Sequence, residues 1–124
     1  MLSGEYFTIQ ERKEEENSVI FSVVLNPAHK VYKGHFPEMP VSPGVCNIQM
    51  IKECLQQEVG KKLLLKHISQ CKFLSVIIPS VNGHLLISMK ITGTEEKSYK
   101  VRATITNPEG MISFVDFKGE FVYD

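Results

Sequence analysis

Residues 44–59, GVCNIQMIKECLQQEV, form the one stretch of this chain with a helical apolar period; a long, irregular, proline-rich loop at 26–44 precedes it, and strands alone follow it. At 100° per residue, Val45, Ile48, Ile51, Leu55 and Val59 form one apolar stripe, and Cys46, Met50 and Cys54 form a second. Between them runs a polar seam of Gln49, Glu53 and Gln56. A helix lying on a protein surface needs only one apolar stripe. Two stripes predict a helix gripped on most sides, by a curled sheet or across a dimer. The polar residues of such a seam need hydrogen-bond partners. A dimer interface would supply them without chemistry, and a polar pocket would supply them with it.

The ends of the helix are legible too. Ser42 is a candidate N-cap with Pro43 at the first helical position, and Gly60 suits the residue just past the end. YFTIQERKEEE starts strand-like and ends in charge, as a solvated hairpin end would. Residues 18–26 read as a strand. Downstream, residues 63–78 predict one bent strand or two, and residues 83–96, 98–106 and 111–123 predict three more. NPEG, at 107–110, is a tight turn between the last two. One long helix among about six strands is an α+β layout, a sheet wrapped over a helix. No repeat or linker divides the chain, so residues 1–124 are expected to form one domain.

Bulk properties exclude some functions. Fourteen basic residues balance fourteen acidic ones, which argues against a nucleic-acid binder with a large basic face. Cys46, Cys54 and Cys71 are odd in number and lack metal-ligand spacing, so they read as small buried residues in a reducing compartment. No metal constellation is present in the pattern. No apolar run approaches the roughly 18 residues of a membrane span, and the N-terminus lacks a signal-peptide core. The expectation is a cytoplasmic protein that contacts neither membrane nor nucleic acid.

The long segment 26–44 holds the chemistry. GHFPEMPVSPGV, at 34–45, sets Pro37, Pro40 and Pro43 around His35, with Gly34 and Gly44 at either side. Prolines fix φ, and glycines permit close approach. A titratable group held this rigidly suits general acid–base work. His29, His67 and His84 lack such surroundings and read as structural or surface residues.

This stretch closely resembles the signature of the β-hydroxyacyl-acyl carrier protein dehydratases of fatty acid synthesis, Gly-His-Phe-Pro-x-x-Pro-Val-x-Pro-Gly-Val. Every fixed position is matched, and Lys72 and Phe73 after the helix match as well. The resemblance implies a hotdog fold, a curled antiparallel sheet around one central helix, assembled as a homodimer or a trimer of dimers. It implies an acyl carrier protein as partner, delivering the acyl chain on a phosphopantetheine arm, and neither cofactor nor metal. The family's catalytic histidine falls on His35. Its thioester-polarising backbone N–H falls on Gly44 or Val45, with Phe36 and Pro43 beside the substrate. The implied reaction removes water from a 3-hydroxyacyl thioester to give a trans-2-enoyl thioester.

One position departs from the pattern. The family's helix carboxylate, fourteen residues after the histidine, is replaced by Gln49, and Glu53 stands one turn later where a glutamine is common. An amide has no carboxyl proton to give. Three readings stay open. His35 performs both proton transfers while Gln49 orients the hydroxyl; Glu53 supplies the proton, directly or through water; or the site binds acyl thioesters without dehydrating them. An acyl-thioesterase and a non-catalytic carrier-binding subunit are the rival functions. Lys30, Lys33, Lys61, Lys62 and Lys66 form a candidate docking patch for an acidic carrier.

Overall fold

The computed structural model describes residues 2–30 and 41–124. His35 and Phe36, with Gly34, Pro37, Pro40 and Lys33, lie outside the described residues. The described chain runs β1 (Phe7–Glu15), β2 (Ser18–Leu25), α1 (Gly44–Val59), β3 (Leu64–Phe73), β4 (His84–Glu95), β5 (Ser98–Thr106) and β6 (Ser113–Val122). The strands form one antiparallel sheet in the order β1-β2-β4-β5-β6-β3. This is the hotdog arrangement, six strands curled about one helix. Among the described residues no helix is long and apolar enough to cross a membrane.

Alternation decides which face of the sheet meets the helix. In β2, Val19, Phe21, Val23 and Leu25 are buried and the residues between them are half-exposed. Pairing carries this face across the sheet in rows. Phe21 lies opposite Ile87, Ile87 opposite Ile105, Ile105 opposite Val115, and Val115 opposite Phe73. Bulges in β1, β3 and β4 add local twist and help the sheet curl. Gly119 permits a close approach. A Cβ there would stand 2.7 Å from the Phe117 ring and 2.8 Å from the His67 carbonyl oxygen.

Against this face α1 buries Cys46, Asn47, Met50, Ile51, Glu53, Cys54 and Leu55. The buried arc therefore takes in all of the second sequence stripe but only part of the first. Ile51 and Leu55 are buried, Ile48 and Val59 are half-buried, and Val45 is 76% exposed. Each fully buried Leu, Ile or Met contributes about 1.5–3 kcal/mol. The helix ends at Gly60, whose left-handed φ of 70° lets its N–H donate to the Gln56 carbonyl at 2.8 Å.

One reading of the sequence needs correction, and another resolves to the first of its alternatives with a nearer end. Pro43, not Ser42, is the N-cap residue, and no side chain among the described residues caps the helix. The Ser42 N–H is held by the Ile77 carbonyl at 2.8 Å, and its hydroxyl donates instead to Asn47 Oδ1 at 2.6 Å. The 63–78 segment yields one strand that stops at Phe73. Beyond it the Leu74 N–H turns to the Phe114 carbonyl at 2.8 Å, and the chain continues through turns to Gly83.

Leu55→Ala should lower unfolding stability by about 2–5 kcal/mol, and Gly119→Ala by about 1–3 kcal/mol, in urea titrations. A loss below about 0.5 kcal/mol at either site would contradict the packing just described.

Candidate active site

Two places along α1 gather the residues singled out by the sequence. The first is the helix start. Helix geometry leaves the N–H groups of Gly44 and Val45 without an intrahelical acceptor, and no side chain among the described residues caps them. The first turn bonds back to Pro43 through Cys46 N–H at 3.0 Å and Asn47 N–H at 3.1 Å. The positive end of the helix dipole adds to the pull of those amides on an oxygen. β3 brings Phe73 over this start. A Cβ on Gly44 would lie 2.8 Å from the Phe73 ring, so only glycine lets the ring sit so close. With Val45, Phe73, Leu74 and Val76 all more than half exposed, the helix start has an apolar surround.

The second place is the polar seam. Gln49 Nε2 donates to Glu53 Oε2 at 2.8 Å. Glu53 is only 4% exposed, and both its oxygens are engaged, by the Leu2 N–H on Oε2 and the Ser3 N–H on Oε1, each at 2.8 Å. An ionised carboxylate only accepts hydrogen bonds. The amide of Gln49 must therefore face Glu53 with its NH2, which turns Oε1 away. Gln56 completes the seam by accepting the Leu63 N–H at 2.9 Å. The seam is thus satisfied mainly from within the chain, by backbone donors. Along it runs an open groove lined by Ser3, Gln49, Lys52, Gln57 and Lys61.

Sequence reasoning missed the groups that support both places. Tyr6 is fully buried, its hydroxyl hydrogen-bonds Ser42, and Ser42 bonds Asn47. His29 packs edge-on to the Tyr6 ring, with centroids 5.2 Å apart. A lone tyrosine before a strand carries no signal of such a role. Of the proposed lysine patch, Lys33 lies outside the described residues, Lys61 and Lys62 lie just past the helix end, and Lys66 is on β3. Lys61 also sits 4.0 Å from the Tyr123 ring centroid, and Lys66 lies 3.8 Å from Glu120.

The three cysteines are free thiols. Burial pushes the Cys54 thiol up to about 12, and the neighbouring Glu53 charge adds to the effect. Burial also raises Cys46 and Cys71. None has the electropositive setting of a nucleophilic thiolate.

Comparison with known proteins places this geometry. A search of curated proteins finds no match. Among solved structures, the dehydratase heterocomplex ApeI:P from Xenorhabdus doucetiae aligns with a TM-score of 0.68 and 19% identity, over 90% of this chain and 94% of that one. A thioesterase from Staphylococcus aureus aligns with a TM-score of 0.65 and 12% identity, over 95% and 93%. The PaaI protein of the E. coli phenylacetic acid degradation operon gives 0.66 and 9%, over 95% and 79%. At such identities these likenesses establish the fold, that of hotdog thioesterases and dehydratases. The family is set by residues 10–112, which match the ApeI-like family, described as ApeI dehydratase. The chain belongs to the ApeI-like dehydratase family.

The Cys54 shift has a sign that can be tested. The folded thiol keeps its proton while the unfolded thiol loses it near pH 9, so the contribution is full below pH 9 and is lost as pH rises toward about 12. Urea midpoints should fall across that window, and Cys54→Ala should make the fall shallower. An unchanged slope in the variant would contradict the buried neutral thiol.

Proposed function

We propose that this chain is a 3-hydroxyacyl-thioester dehydratase acting on substrates carried by an acyl carrier protein. The observation that carries the reading is the helix start at Gly44 and Val45, which no described side chain caps, in a chain of a dehydratase family. Its two amides are suited to hold a thioester carbonyl oxygen as enolate charge develops there. His35, assigned from its signature, takes the Cα proton. Gln49 holds the 3-hydroxyl through Oε1, and the imidazolium returns its proton to that hydroxyl, which leaves as water. The products are a trans-2-enoyl thioester and water, with His35 neutral again. Phe36 and Pro43 are assigned to the walls of the acyl site. Glu53 enters the site through its hydrogen bond to Gln49, because all the contacts of its carboxylate are to chain donors.

The exposed edge strand β3 supports pairing with a second hotdog chain. Its outer edge pairs with no described strand, and Leu64, Leu65, Ile68 and Phe73 on it are exposed. A second copy is the proposed partner, giving a homodimer or a trimer of dimers. The three free thiols fit a reducing, cytoplasmic setting.

Hydrolysis is the second reading. It is favoured by the hotdog thioesterase likeness and by the absence of a carboxylic acid at Gln49. Incubation with a 3-hydroxyacyl-carrier thioester separates the two. Enoyl absorbance without free thiol supports dehydration, and released thiol supports hydrolysis. If neither forms while the substrate is retained, the chain is a binding subunit.

His35→Ala should abolish enoyl formation in a folded protein; unchanged turnover would remove His35 from the mechanism. Gln49→Glu should raise the dehydration rate by about 10-fold or more. The new carboxyl would meet Glu53 where the amide now does, 2.8 Å away. Two carboxylates so close cannot both ionise. Because Glu53 already accepts two backbone N–H groups, the shared proton belongs on the introduced group, which becomes an acid.

A further inference from the structure

The segment before β1 touches both places that the proposed reaction uses. Residues 2–7 form a compact turn. The Gly4 N–H donates to the Phe7 carbonyl and the Tyr6 N–H to the Leu2 carbonyl, each at 2.7 Å. Gly4 has a φ of 88°, which favours glycine. From this turn two arms reach α1. The Leu2 and Ser3 N–H groups grip the Glu53 carboxylate, which holds the Gln49 amide. The Tyr6 hydroxyl joins Ser42 and through it Asn47, in the first turn of the helix. Asn47 and Glu53 lie about 9 Å apart along the helix. All three side chains of the Tyr6 arm and the Glu53 carboxylate are buried, where hydrogen bonds rigidify most and lost ones cost most.

We propose that Leu2–Tyr6 is a two-point clamp that sets the geometry of the site, with Glu53 and Tyr6 as positioning residues. The Glu53 arm fixes which end of the Gln49 amide faces outward. The Tyr6 arm fixes Ser42, and hence where Pro43 delivers the first helical amides, those of Gly44 and Val45. The kinetic consequence of the clamp rests on the dehydratase reading; its structural consequence does not.

The test uses the full chain with Glu53→Gln and Tyr6→Phe, read by NMR, amide exchange and steady-state kinetics. Glu53→Gln should shift the Gln49 side-chain NH2 signals and speed exchange at Leu2 and Ser3. Tyr6→Phe should shift the Asn47 side-chain NH2 signals. With a 3-hydroxyacyl-carrier substrate, each variant should lower kcat about tenfold while KM stays within about twofold, the mark of misplacement rather than lost binding. In a Gln49→Ala background, Glu53→Gln should have no further effect on kcat. Unchanged Gln49 signals and unchanged exchange at Leu2 and Ser3 in Glu53→Gln overturn the clamp, as does an unchanged kcat in both variants of an active protein. If Glu53→Gln does not fold, unchanged Asn47 side-chain NH2 signals in Tyr6→Phe overturn the clamp. A wild-type chain that dehydrates no 3-hydroxyacyl thioester overturns the dehydratase reading alone, and the NMR and exchange results then decide the clamp.

Discussion

A sheet curled around a single helix buries one side of that helix, so every polar group drawn into that side must be answered from inside the chain. That constraint organises this protein. Met50, Ile51, Cys54 and Leu55 bury themselves on the sheet, and this draws Asn47 and Glu53 in with them. An unpaired buried carboxylate would cost far more than the burial of one neighbouring apolar side chain returns. Glu53 is tolerated because two backbone N–H groups and one side-chain amide meet it. Asn47 is tolerated because the Ser42 hydroxyl meets it. The short segment ahead of β1 is therefore not an ornament on the sheet. It supplies donors that the helix cannot supply for itself.

The same logic explains the helix start. Serine before Pro-Gly would ordinarily turn its hydroxyl onto the first free amides. Here the buried Asn47 and Tyr6 compete for that hydroxyl and win it. The consequence is a helix start that no described side chain caps, beside an apolar patch containing Phe73 and Val45. On the dehydratase reading, that is where an anionic oxygen would gain from the first helical amides.

Much of this fold was legible from residue pattern. The segments 83–96 and 98–106 became β4 and β5 almost without change, and the helix runs from Gly44 to the glycine that stops it. These elements are set by alternation, period and a left-handed glycine, all local properties. Legibility ended where the cause was distant. Nothing near Glu53 in sequence announces that its partners are backbone donors 50 residues away. Nothing about Tyr6 announces Ser42. Val45 shared a stripe with Ile51 yet is exposed, because the arc that the sheet covers is centred on the stripe of Cys46, Met50 and Cys54. β3 has core-like residues but lies at an edge, and edge position is a property of topology rather than composition.

The order of the acid–amide pair follows from these facts. A carboxylate at 53 is deep in the seam, where two backbone N–H groups demand an acceptor. A glutamine there could answer them with one oxygen and would bring two N–H donors of its own into the same crowded space. With the carboxylate fixed at 53, the residue one turn earlier must donate toward it, and glutamine does so at 2.8 Å. A carboxylate at position 49 could meet that demand only by keeping a proton. Gln49 is thus the neutral choice compatible with a Glu53 carboxylate held by the Leu2 and Ser3 N–H groups, and the pair makes sense as a unit rather than as a lost acid. On the dehydratase reading, the burden of both proton transfers passes to His35, with the amide confined to holding the hydroxyl where that imidazole can reach it.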